Sequence, residues 1–69
     1  MISVEISTEY IKLDSLLKLS GAASTGGHAK IMIADGQAAL NGAVELQRGR
    51  KVRPGDVVEC NGLIIKVVR

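Results

Sequence analysis

The apolar positions at the start of the chain alternate. Ile2, Val4 and Ile6 fall on one side of an extended segment and Ser3, Glu5 and Ser7 on the other, the period of two expected of a half-buried strand. After Thr8 the period lengthens. Leu13, Leu16, Leu17 and Ser20 follow helical spacing, and Gly21 stands where a left-handed cap ends a helix, so a first helix is expected over about Lys12 to Ser20. Ser24 and Thr25 are residues of the N-cap type. Ala29, Met32 and Ile33 then recur at i, i+3 and i+4 before Gly36, which predicts a second helix from about Gly26 to Asp35. The remainder reads as strands broken by turn dipeptides. Asn41-Gly42 separates Ala38–Leu40 from Val44–Leu46, and Asn61-Gly62 separates Val57–Cys60 from Leu63–Val68. Asn-Gly readily takes the two positive φ angles of a type I′ hairpin turn. Pro54-Gly55-Asp56 marks a further turn, and the order of elements is β-α-α-β-β-β-β, an α+β chain.

Length and composition narrow what such a chain can do. Its 69 residues, 46% of them hydrophobic, suffice for one core, and no repeat, linker or low-complexity tract divides residues 1–69 into more than a single domain. A chain this short buries only about 60% of its unfolded surface, which argues against an enclosed substrate cavity and so against an elaborate enzyme. Cys60 has no second cysteine to pair with, and His28 is the only histidine, so no structural metal or other cofactor is expected. The first residues lack the basic and apolar blocks of a signal peptide, and the longest uninterrupted apolar run is Ile31 to Ala34. A cytoplasmic protein without a membrane partner is the expectation.

The net charge of +2 hides an asymmetry. Residues 1–40 hold three lysines against four acids, whereas residues 41–69 hold six basic residues against three acids. Four of those six stand within Arg48-Gly49-Arg50-Lys51-Val52-Arg53, a run with no acid and one apolar residue, expected in a solvated loop or at a strand edge. Guanidinium forks match phosphate oxygens in two-point contacts, so the run reads as a polyanion contact, the plain alternative being a solubilising loop. Tyr10 is the only aromatic residue; a place partly in the core is the expectation and a lone stacking or hydroxyl contact the alternative. RRM, OB and cold-shock modules, which stack several bases on aromatic rings, are therefore excluded.

A second candidate lies in Ser24-Thr25-Gly26-Gly27-His28-Ala29-Lys30, which sets hydroxyls, glycines and a cation at a helix entry. The first amides of a helix lack intrahelical acceptors and sit at the positive end of its dipole, so a phosphate can dock there. Capping by Ser24 or Thr25 alone would account for the same residues. A nucleotide-binding P-loop fails at its seventh and eighth positions, which are Gly27 and His28 in place of lysine and a hydroxyl. Cys60, His28 and Asp56 do not stand at a spacing that predicts a catalytic set, so no catalytic residue is assigned.

Several motifs in order resemble a known family. Lys12-Leu13-Asp14-x-x-Leu17, Ser24 with Ala29 and Ile33, Asp35-Gly36-x-Ala38-x-Leu40-Asn41-Gly42 and Val52-x-Pro54-Gly55-Asp56-x-Val58 are similar to the RNA-binding domain named after ribosomal small-subunit protein four. Thr8-Glu9-Tyr10-Ile11-Lys12-Leu13, Leu17-Lys18-Leu19, Thr25-Gly26-Gly27 and Arg48-Gly49-Arg50-Lys51 further resemble its short, stand-alone YaaA-like members. The resemblance implies two short helices packed on a small bent antiparallel sheet, the αL RNA-binding motif. It also implies that Lys12, Lys18, the entry Ser24, Thr25, Gly26, Gly27, His28 and Lys30, Asn41, and Arg48, Arg50, Lys51 and Arg53 face RNA, while Leu17, Ala29, Ile33 and Leu40 build the core. Many members carry a basic residue just after the serine of the helix entry, where this chain has Thr25-Gly26-Gly27, so contact there would rest on backbone amides. The expected partner is structured RNA, ribosomal RNA or a ribosomal particle, and no small-molecule substrate. A protein-interaction adaptor and a duplex DNA binder of helix-turn-helix type are the alternatives.

Overall fold

Both Asn-Gly pairs form the turns their chemistry favours. Asn41 and Gly42 take φ of 50° and 88°, and Asn61 and Gly62 take 51° and 76°, the paired positive angles of a type I′ turn. In the computed structural model, which describes residues 1–69, the strands are β1 (Ile2–Glu5), β2 (Ile11–Lys12), β3 (Ala38–Leu40), β4 (Ala43–Val44), β5 (Lys51–Val52), β6 (Val57–Cys60) and β7 (Leu63–Val68). The helices α1 (Leu13–Leu19) and α2 (Gly26–Ala34) lie between β2 and β3. Lys12 and Ser20 cap α1, and Asp35 caps α2, so each helix is slightly shorter than its periodicity suggested.

Five strands form one sheet in the order β1-β7-β6-β3-β4. The register sets Val58 opposite Ile65 in β6 and β7 and Val4 opposite Val67 in β1 and β7, which keeps these four side chains buried. The sheet is mixed, a departure from the expected antiparallel one, because β1 runs parallel to β7. Alternation in residues 1–7 specifies which face of that strand is apolar but carries no information about the direction of its neighbour. A second, two-stranded ribbon pairs β2 with β5 in antiparallel fashion. Two-residue strands have no readable period, so both were missing from the expected order. Val52, the one apolar residue of the basic run, is fully buried and anchors that ribbon to the core.

The helices close the other side of the core. Leu13, Leu16 and Leu17 of α1 meet Ala29, Met32 and Ile33 of α2, and all six are buried in a cluster of 16 residues that contains no polar or charged side chain. Gly21, at φ 85°, turns the chain between them, and the Ala23 N–H donates to the Leu17 carbonyl (3.0 Å). Tyr10 does not join the core. The residue remains 36% exposed, because it lies one residue outside the β2 pairing, in register with solvent-facing Lys12. No helix is long and apolar enough to cross a membrane.

Candidate nucleic-acid interface

The β2/β5 ribbon sorts the basic run onto one face. Ile11 pairs with Val52 and Lys12 with Lys51, so the period of two that turns Ile11 and Val52 toward the core turns both lysines outward. The Leu13 N–H donates to the Arg50 carbonyl (2.9 Å) one step further along. Hydrogen-bonded and non-hydrogen-bonded positions alternate along an antiparallel pair, which puts Lys12 and Lys51 at the closer, non-hydrogen-bonded kind, with Cα atoms about 4.5 Å apart. Like charges directly opposite one another oppose folding, and neither ammonium group has a carboxylate within salt-bridge distance, since the single ion pair of the protein joins Arg50 to Glu45 (3.5 Å). Lys12 is also the N-cap residue of α1 and makes no capping bond, so its charge sits at the positive end of the helix dipole, the unfavourable end for a cation. Lys51 reaches over the Tyr10 ring, with Nζ 5.0 Å from the centroid.

The remaining cations of the run are held by their backbone. The Asp14 N–H donates to the Arg48 carbonyl (3.1 Å), which fastens Arg48 to the first turn of α1. Arg53 begins the turn through Pro54 and Gly55. Its N–H donates to Asp56 Oδ2 (2.8 Å), and the Asp56 N–H donates back to the Arg53 carbonyl (2.9 Å). Arg48 and Arg53 are exposed and carry no ion pair, whereas Arg50 is partly neutralised by Glu45. The acid-free reading of the run thus misses Glu45, which the β4–β5 connection brings back to Arg50.

Asn41 has internal work. Its Nδ2 donates to Asp56 Oδ1 (3.1 Å) and its Oδ1 accepts from the Val57 N–H (2.9 Å), so it braces the β3–β4 turn against the turn that precedes β6. Asp56 in turn joins Asn41 to the Arg53 backbone. The expected surface role of Asn41 is thereby joined by a structural one that spacing could not reveal.

At the entry to α2, Thr25 is the cap. Its Oγ1 accepts from the His28 N–H (3.0 Å), while the Ser24 N–H donates to His28 Nδ1 (3.2 Å). The arrangement resembles a capping box with histidine in the position usual for glutamate, except that the ring accepts from the Ser24 amide, one residue before the cap. Ser24, Thr25 and His28 thus satisfy one another. Gly26 and Gly27 supply the leading amides, and a Cβ on either would meet nothing closer than Thr25 Oγ1 at 3.9 Å, so the backbone there is open to a ligand. Lys30 is exposed in the following turn.

The helix α1 connects the two candidate regions. Its first amides bond to Arg50 and Arg48, and its last turn leads through Ala23 into the α2 entry. Seven residues at the helical rise span roughly 10 Å, so the two regions flank a single short helix. Along its exposed side, Ser15, Lys18 and Leu19 border with Ile11 an open depression of about 490 Å³. Cys60 is buried in β6, where burial pushes its thiol up, and His28 is exposed. The residue that sequence reasoning misplaced is Tyr10. Its register with Lys12 two residues on was the available signal.

Comparison with known proteins gives a consistent picture. A family model described as the S4 domain matches residues 4–68. YbcJ of Escherichia coli (strain K12) is 41% identical over 59 residues, which cover 86% of this chain and 84% of YbcJ. RlbA of Bacillus subtilis (strain 168), by name a ribosome maturation protein, is 39% identical over 59 residues, covering 86% of this chain and 83% of RlbA. The solution structure of YbcJ, described as revealing an αL motif involved in RNA binding, superimposes with a TM-score of 0.77 at 36% identity, over all of this chain and 89% of YbcJ. The 30S ribosomal protein S4e of Thermoplasma acidophilum matches with a TM-score of 0.67 at 26% identity, over 84% of this chain and 31% of S4e.

Proposed function

Because the chain belongs to the S4 domain family, we propose that it is a non-catalytic protein that binds folded RNA, with ribosomal RNA or a ribosomal particle in the cytoplasm as its target. The observation that carries this reading is the placement of Lys12 and Lys51 against each other, at the positive end of α1, with no acid to relieve them. A pair that opposes folding has a physical rationale if a polyanion completes it. Arg48 and Arg53 extend the same cationic surface, and the open amides of Gly26 and Gly27 with Lys30 offer a second phosphate contact across α1. The RNA-binding description of YbcJ and the name of RlbA support RNA, and ribosomal RNA in particular, as the polyanion.

Recognition of this kind works by shape. With one aromatic residue the surface cannot read a run of splayed bases, but it can hold phosphates and 2′-hydroxyls of a folded helix or junction. Neutralising about four phosphates gives a slope of log K against log salt on the order of −3 to −4.

The test is a fluorescence-anisotropy titration against folded ribosomal RNA hairpins and a duplex DNA of equal length, over a range of salt. Wild type should prefer the RNA. Replacing Lys12, Arg48 and Arg53 together by Ala should weaken RNA binding at least about tenfold and flatten the slope by about 2 to 3. Unaltered affinity and slope in that variant, or preference for the DNA, overturns the reading.

A further inference from the structure

A tyrosine ring is one of the largest apolar groups this chain has, and a core of 69 residues would gain from enclosing it. The fold does the reverse. Tyr10 stands outside the core and 36% exposed, with no hydrogen-bond partner for its hydroxyl. Its backbone is fixed, since Thr8 Oγ1 donates to the Tyr10 carbonyl (2.8 Å). Tyr10 immediately precedes the Ile11–Val52 pair, so the period of two places it on the side of the ribbon that bears Lys12 and Lys51. Lys51 then lies over the ring at 5.0 Å, a cation–π contact that holds both groups at the edge of the cationic surface. A ring held beside Lys51, on the side of the ribbon that also bears Lys12, and left partly open, is what a single base needs: a flat surface to stack on and positive charge for the phosphates on either side.

Resting on the RNA reading above, we infer that Tyr10 is a stacking platform for one unpaired nucleotide next to the RNA helix, with Lys12 and Lys51 on its flanking phosphates. The platform supplies a preference that the phosphate contacts alone do not. Bulged or junction nucleotides are favoured over a continuous helix, and the identity of the base matters little because every base has a π-face.

Two RNA hairpins test this, one fully paired and one identical except for a single bulged purine. Wild type should bind the bulged hairpin about 5- to 150-fold more tightly, the range given by one base–aromatic stack. Tyr10→Leu should lose that preference while still binding the paired hairpin, and Tyr10→Phe, which keeps the ring, should retain it. In NMR spectra the Tyr10 ring protons, the only ones from a benzenoid side chain, should shift upfield with the bulged RNA and not with the paired one. Equal affinity of wild type for the two hairpins, or an undiminished preference in Tyr10→Leu, overturns the platform and leaves the RNA reading standing. Failure of wild type to bind either hairpin at low salt removes both.

Discussion

Lys12→Gln should make the protein more stable and a poorer RNA binder. Two electrostatic terms act against Lys12 in the folded state. It faces Lys51 directly across the β2/β5 ribbon, a like-charge arrangement that costs about 0.2 to 1 kcal/mol. It also occupies the N-cap of α1 without making a capping bond, where a cation loses about 0.3 to 1 kcal/mol against the helix dipole. Gln keeps most of the stem and removes the charge, so the gain at low salt is about 0.5 to 2 kcal/mol. For a domain of this size that corresponds to a rise in Tm of about 3 to 14 °C. Thermal melts followed by circular dichroism, at low salt and near 1 M, provide the assay. Because the lysines are exposed, the gain should shrink at high salt, where the screening length falls to about 3 Å. RNA affinity measured on the same preparations should fall. A Tm that is unchanged or lower at low salt, or a gain that persists undiminished at high salt, refutes the claim that Lys12 is held against an electrostatic cost.

Other perturbations separate the fold from the surface. Leu17 is fully buried between the helices, and Leu17→Ala should cost about 2 to 5 kcal/mol in urea melts, a large part of the roughly 3 to 10 kcal/mol available to so short a chain. Asn41→Gly preserves the positive φ but removes the bonds to Asp56 and Val57, so it should still cost about 1 to 2 kcal/mol, whereas a residue chosen only for its φ would be replaced without loss. Glu45→Gln releases Arg50 from its ion pair and should raise RNA affinity at low salt about two- to fivefold while altering stability by less than about 1 kcal/mol. Burial raises the Cys60 pKa in the folded state. The unfolded thiol therefore ionises first, so this contribution to stability is complete below the ordinary thiol range and is lost as pH rises through it toward the folded value. Melts over an alkaline pH series should show that decline in wild type and its absence in Cys60→Ala.

Local chemistry accounts for the parts of this protein that were legible in one dimension. Both Asn-Gly turns, the two helices with their glycine stops and the Thr25 cap of the second, and the long hairpin from Val57 to Val68 each follow from interactions within a few residues. Their signals are therefore written in adjacent positions. The local excess of Arg and Lys over residues 48–53 is of the same kind, and so are the motifs by which the family resemblance was seen.

Tertiary structure decided whatever depends on two distant segments meeting. Val52 is an anchor only because it lands opposite Ile11, and Lys12 faces Lys51 for the same reason. Glu45 tempers Arg50 through a chain reversal, Asn41 braces a turn fifteen residues away, and β1 joins the sheet beside β7 and parallel to it. Tyr10 reaches the surface by the same ribbon register. A strand of two residues has no period to detect, and the energy that holds it comes from burying Val52 against the rest of the core. Composition thus determined that positive charge would be concentrated in one segment, while packing determined which cations were left without partners and which ring stood among them.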